Sequence, residues 1–310
     1  MLDSAFQIVT VVFILISIGF FSERNGWLGA NALTLLSRLT LRIGLPGLIF
    51  SNILTNYHRA ELLSGAKSLL VPLLVIGLMY LLTIPLTKWL KIPEGRVGVF
   101  RALFSLGNSV FVGMPVCLAI FGERQTSNVL LYYLVNTIIW WTVGAPLVAK
   151  DGGNKARGAL SRLATPPLIT VVTSLLLVFA GFTPPAFLLQ TASYLGGIVT
   201  PVSMVFIGCS LCTMVTSGLR WQKGYGAILL GRFLLGPVLC LPLCRATGIT
   251  GDMLGVFFLQ SGMPCQTQTC LWAQEQGADA GYAAGAISLT TLLSLAMIPA
   301  QTWFLSLLAR

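Results

Sequence analysis

Two stretches of this chain concentrate residues that could hold a polar ligand among apolar neighbours. The first, GNSVFVGMP from Gly107 to Pro115, combines Asn108 and Ser109 with Gly113 and Pro115. The second, LQSGMPCQTQTC from Leu259 to Cys270, sets Gln260, Ser261, Gln266, Thr267, Gln268 and Thr269 around Pro264. Glycine weakens a helix through its backbone freedom, and proline removes an N–H while crowding the carbonyl four residues earlier. A helix broken inside a bilayer frees N–H and C=O groups, which persist only where protein or a water-filled cavity satisfies them. Such a break suits an anion or polar ligand at the half-helix N-termini, and the oxygens of Gln260, Gln268 and Thr269 suit a sodium ion. The bland alternative is a proline kink whose Ser and Thr bond to their own backbone.

Arginines inside apolar segments pose a second question. Arg42 lies four residues before Pro46, and a cation at such depth costs about 2.5 kcal/mol or more unless paired or hydrated. Its planar fork suits a carboxylate; the other reading is packing, with Arg42 bonded to neighbouring carbonyls or reaching the interface together with Arg38. Arg232, between Gly231 and Phe233, needs a partner too, either a bound anion or backbone carbonyls. Arg101 lies nearer a helix end, where snorkelling accounts for it. The nine acidic residues all fall in loops or at helix ends, so a proton relay built on a buried carboxylate has no candidate.

The chain that must position these residues has 310 of them, 55% hydrophobic and only 9% charged, against roughly 25% charged in soluble domains. This composition predicts an all-α polytopic membrane protein. A span needs about 20 apolar residues. Ten apolar windows fit, at about 4–22, 30–56, 68–87, 102–122, 125–149, two within 163–219 around Pro184 and Pro185, then 223–245, 252–274 and 280–308, the second of them carrying Arg38 and Arg42. The run from Ala5 to Phe21 ends in Glu23 and Arg24 without a cleavage pattern and reads as a first span, not a signal peptide.

The net charge of +10 fits basic residues held in short cytoplasmic loops and makes nucleic acid an unexpected partner. Ten Lys and Arg fall by the odd-numbered loops against five by the even loops and termini, which predicts extracytoplasmic termini in a cell (inner) membrane. Seven cysteines sit in apolar segments as small hydrophobes, and the Cys209/Cys212 pair has the lone His58 far away in sequence, so no metal or other cofactor is expected. Most of the tryptophans fall near predicted span ends, as an interfacial belt would have them. G-x-S-x-G, H-E-x-x-H and P-loop patterns do not occur, and an acid–base pair is hard to assemble, so an enzyme is not expected.

The polar loop Lys150–Arg162 divides the windows five and five, and an odd number per half turns the second half upside down. The predicted organisation is a first inverted repeat over 1–149, a cytoplasmic linker over 150–162 and a second repeat over 163–310. Both halves carry a mid-span proline in their second helix, Pro46 or Pro201, and a polar break ending in proline in their fourth, Pro115 or Pro264. The separations, 69 and 63 residues, are similar. Inverted repeats with broken helices mark secondary transporters, with the ligand near the midplane.

At these residues the chain resembles the auxin efflux carrier family, which includes plant auxin exporters and bacterial malonate and malate permeases. The resemblance rests on LPGLIF at Leu45–Phe50, on RALFSLGNSVFVGMP at Arg101–Pro115 followed by Phe121 and Gly122, and on Pro264, Ala273 and Gly277. It implies a fold similar to sodium/bile-acid symporters, with broken helices 4 and 9 crossed and elevator-type alternating access. It also implies a small organic anion held near the crossing by Asn108, Pro115 and Pro264, with Asn136 as a polar contact, and a homodimer. Ile49 stands where plant members have serine, and the long loop of many plant exporters is missing, as in compact bacterial permeases. The resulting expectation is a carboxylate carrier with Na+ or H+ as coupling ion. The alternatives are a sodium-coupled symporter of a larger amphipathic acid and a membrane sensor or channel-like binding protein.

Overall fold

The computed structural model describes residues 2–29, 31–56, 66–154, 165–217 and 221–308. Among them every regular element is helical, and the one extended pairing is an isolated bridge between Gly107 and Cys265. In chain order the helices are α1 (Leu2–Arg24), α2 (Ala32–Leu39 continuing to Leu45–Asn56), α3 (Leu70–Trp89), α4a (Val97–Ser105), α4b (Met114–Phe121) and α5 (Thr126–Ile139 continuing to Ala145–Asp151). Then follow α6 (Pro166–Phe179), α7 (Ala186–Gly197 and Val199–Ser217), α8 (Tyr225–Leu230 continuing to Gly236–Ala246), α9a (Gly251–Ser261), α9b (Gln268–Gln276) and α10 (Ala280–Leu308). Among the described residues six stretches are long and apolar enough to cross a membrane: Ala32–Thr55, Lys67–Trp89, Glu123–Asp151, Ala186–Thr213, Tyr225–Ala246 and Ala280–Leu308. Leu73, Leu74, Leu78, Leu81 and Leu82 on α3 are exposed, a surface that suits lipid tails and not water. The protein is thus an all-helical polytopic membrane protein. The windows expected at 102–122 and 252–274 are each split in two, and residues 155–162 of the expected linker lie outside the described residues.

Four helices change pitch for one reason. Wide, five-residue π-turns occur at Thr40–Gly44 in α2, Ser109–Gly113 leading into α4b, Trp140–Gly144 in α5 and Gly231–Leu235 in α8. Each is followed within two residues by a proline, Pro46, Pro115, Pro146 or Pro237. A proline cannot donate to the carbonyl four residues back and crowds it, so the preceding turn opens to the wider spacing. In α8 the carbonyl freed in this way is that of Phe233, and it accepts a hydrogen bond from Gln301 Nε2 of α10 at 3.1 Å. Arg232 sits in the same widened turn.

The chain forms two compact units, and each draws on both halves of the sequence. The first comprises Met1–Lys67, Val110–Leu130 and Ala164–Thr216; the second comprises Ser68–Ser109, Leu131–Leu163 and Ser217–Arg310. In the first unit α1 and α7 touch backbone to backbone. A Cβ on Gly19 would fall 2.2 Å from the Val205 carbonyl oxygen, and one on Gly208 would fall 2.0 Å from that of Ile16. Lipid tails are as apolar as leucine, so helices in a bilayer associate through such close small-residue packing.

In the second unit, α3, α4a, α5, α8, α9a, α9b and α10 enclose Phe100, Phe104, Tyr132, Trp140 and Phe257. Polar bonds set their register. Trp272 Nε1 donates to the Ala145 carbonyl at 2.9 Å, and Asp151 Oδ2 accepts from the Val99 N–H at 2.8 Å, at the start of α4a. Arg96 bridges Asp279 at 2.6 Å and donates to Gln222 Oε1 at 3.1 Å, so loops before α4a, α8 and α10 are fastened to each other.

Candidate functional site at the paired helix breaks

The breaks in α4 and α9 meet inside the second unit. α4a stops at Ser105, α9a stops at Ser261, and the freed backbone of each pairs with the other. Asn108 N–H donates to the Pro264 carbonyl at 2.8 Å and Gln266 N–H donates to the Leu106 carbonyl at 3.2 Å, on either side of the Gly107–Cys265 bridge. Backbone groups that a broken helix would leave bare are thereby satisfied with no water needed. Two neighbouring helices reinforce the pairing. Thr290 Oγ1 of α10 accepts from the Cys265 N–H at 3.1 Å, and Asn136 Nδ2 of α5 donates to the Gly107 carbonyl at 3.3 Å.

Side chains continue the network. Asn108 Nδ2 donates to Thr267 Oγ1 at 3.0 Å, Asn136 Nδ2 also reaches Gln266 Oε1 at 3.3 Å, and Gln266 Nε2 donates to Gln268 Oε1 at 3.1 Å. Asn136 is only 3% exposed and Gln266 8%. Several buried atoms here find no protein partner: Asn136 Oδ1, Ser109 Oγ, Thr269 Oγ1, and both Oε1 and Nε2 of Gln260. A buried polar atom left unmade costs about 1–3 kcal/mol, so a cluster of them marks a place built for something besides packing.

Arg232 of α8 joins the same place from behind. Its side chain is 1% exposed, Nε donates to the Met263 carbonyl at 2.8 Å, and Nη1 donates to the Ser105 carbonyl at 3.0 Å. The question raised by its sequence position is answered by backbone carbonyls, from just beyond the end of α9a and from the end of α4a.

The profile of the family described as "Membrane transport protein" matches residues 4–159 and 156–302. The chain belongs to that family. Relatives in it include an "Uncharacterized transporter" of Methanocaldococcus jannaschii, 28% identical over 96% of this chain and 98% of that one. Another "Uncharacterized transporter", from Methanothermobacter thermautotrophicus, is 24% identical over 94% and 96%. A protein of Rhizobium meliloti named "Putative malonate transporter" is 25% identical over 94% of this chain and 92% of its own. The resemblance to auxin efflux carrier permeases holds at the level of the family.

Within this membrane transport protein, the structure brings together Asn108, Asn136, Pro264, Gln266, Thr267 and Gln268 through the bonds above. Ser109, Gln260 and Thr269 lie in the second unit as well, buried. Gly113 and Pro115 start α4b and belong to the first unit, as does Arg42, which sits exposed in the widened turn of α2. Sequence reasoning missed Thr290 and Gln301, which hold freed backbone groups. A polar side chain inside an apolar run was the available signal, but α10 carries several such residues and most bond only their own helix, as Ser288 and Ser294 do.

Proposed function

We propose that the protein is a secondary carrier for a small organic anion, a carboxylate of the malonate or malate class, and not an enzyme. The observation that carries this reading is the pair of helix breaks joined by their own backbones, with buried, unsatisfied polar atoms beside them, in a chain of a transport family. The amides of Asn108, Asn136 and Gln266, the Thr267 hydroxyl and the N-terminus of α9b would contact the anion, since helix N-termini and amide N–H groups favour negative charge. Ser109, Gly113, Pro115 and Pro264 would shape the helix breaks, and Arg42 would offer its guanidinium to a carboxylate. The inverted-repeat organisation expected from the sequence would make the protein an elevator-type carrier with ten spans. The basic loops would orient it in the cell membrane with both termini extracytoplasmic.

A ligand that binds only the folded state raises apparent stability by mass action. The test is therefore a thermal-shift screen of the purified protein against malonate, malate and indole-3-acetate, followed by uptake of the stabilising acid into proteoliposomes. Stabilisation by one acid class together with saturable uptake supports the carrier. Binding without uptake returns the chain to a sensor, and no shift with any acid removes the organic-anion reading. A second reading, sodium-coupled symport, is favoured by Gln260 Oε1 and Thr269 Oγ1, two buried oxygens without protein partners that suit a hard cation.

A further inference from the structure

Arg232 has no carboxylate partner among the described residues. Its guanidinium lies instead on the carbonyls of Ser105 and Met263. Each helix C-terminus behaves as roughly half a negative charge, and each N-terminus as roughly half a positive one. Two C-terminal ends, α4a and α9a, converge on Arg232, while the N-terminus of α9b opens from the same crossing. Without a cation these three ends sum to about minus one half; with the guanidinium they sum to about plus one half. An arginine keeps its proton at every physiological pH, so this charge is fixed.

Close approach to the break is built in. A Cβ on Gly107 would fall 2.3 Å from Arg232 Nη2, so the guanidinium packs directly against the bare backbone that pairs with α9. Nη2 itself is buried without a protein acceptor, and the Gly107 carbonyl beside it is held by Asn136, whose own Oδ1 is unsatisfied.

We infer that Arg232 serves as a built-in cation of the crossing, taking at the two carbonyl ends the place a coupling cation would take, so that the carrier binds its organic anion without co-bound sodium. This rests on the organic-anion reading and decides against the sodium-coupled one.

The experiment compares the intact protein in sodium chloride and in choline chloride, reading the malonate-dependent thermal shift and malonate uptake into proteoliposomes. Both should be equal in the two salts; a collapse in choline overturns the inference. Arg232→Gln should weaken malonate binding about thirtyfold or more, and Arg232→Lys should weaken it much less. Millimolar guanidinium should restore malonate binding to Arg232→Ala, where the side chain is gone, and should do nothing for the wild type. Undiminished binding in Arg232→Gln also overturns it. Should the neutral variants fail to fold, the salt comparison and Arg232→Lys still decide. Should malonate shift nothing even in the wild type, the organic-anion reading fails by itself. Guanidinium raising the unfolding midpoint of ligand-free Arg232→Ala, with sodium inert, would then still identify the built-in cation, and no response would remove it.

Discussion

Asn136 joins three features of the site, and replacing it by alanine separates binding from folding. Its amide donates to the Gly107 carbonyl and to Gln266 Oε1, both at 3.3 Å, while its Oδ1 has no protein partner. Inter-helix polar bonds in membranes contribute about 0.6 kcal/mol each on average, so two of them amount to roughly 1 kcal/mol. The small void left by the amide adds to this, and the expected total loss of stability is about 1–2 kcal/mol. The ligand side is larger. A hydrogen bond to a charged group contributes about 1.5–3 kcal/mol, so losing one to a carboxylate should raise the malonate dissociation constant roughly 10- to 150-fold. The assay is thermal unfolding in detergent across a malonate titration, which yields the midpoint without ligand and the apparent affinity from the same samples. A matched control is Gln301→Leu, which removes a structural bond in the same unit. If Asn136→Ala loses stability like the control but keeps its malonate affinity, Asn136 is a packing residue and the amide site is wrong.

Gln301→Leu should itself cost about 1 kcal/mol, because the Phe233 carbonyl freed by Pro237 loses its donor, and the unfolding midpoint should fall with no change in malonate affinity. Asp151→Ala removes the acceptor for the Val99 N–H at the start of α4a and should lower stability by about 1 kcal/mol in thermal unfolding, again without touching ligand affinity. Asn108→Ala and Pro264→Ala should both lower proteoliposome uptake while the protein still elutes as a folded species in detergent; wild-type uptake in both would show that the paired breaks are not the transport site.

The helical, membrane-spanning character was legible because it is written in composition and window length, and both breaks were legible because Gly, Pro and polar side chains gather there inside otherwise apolar runs. That the two breaks meet could be expected from the inverted-repeat pattern and from the family resemblance, but not with which atoms. No local rule says that the Asn108 N–H finds the carbonyl of Pro264, 156 residues on. The positions of the π-turns were in principle readable, since each precedes a proline by at most two residues, but Pro46 reads as a mid-span proline and Pro115 as the end of a break, and Pro146 and Pro237 stand in plain apolar runs with no polar cluster to draw attention to them. Arg42 and Arg232 show most plainly what a sequence withholds. Both are arginines in apolar segments with a glycine within two residues and a proline four or five residues on, and both lie in widened turns. One is exposed and the other is 1% exposed with two carbonyls in hand. The difference comes from the neighbours. Arg232 lies one residue after Gly231, where a Cβ would come within 2.5 Å of the Phe104 ring, so α8 packs tightly onto α4a there, and the side chain enters the gap between the ends of α4a and α9a. A buried guanidinium is tolerable only when such carbonyl ends are waiting for it. Two interrupted helices in one unit supply them, so the same breaks that free the backbone for a ligand also create the place where a permanent positive charge can be kept.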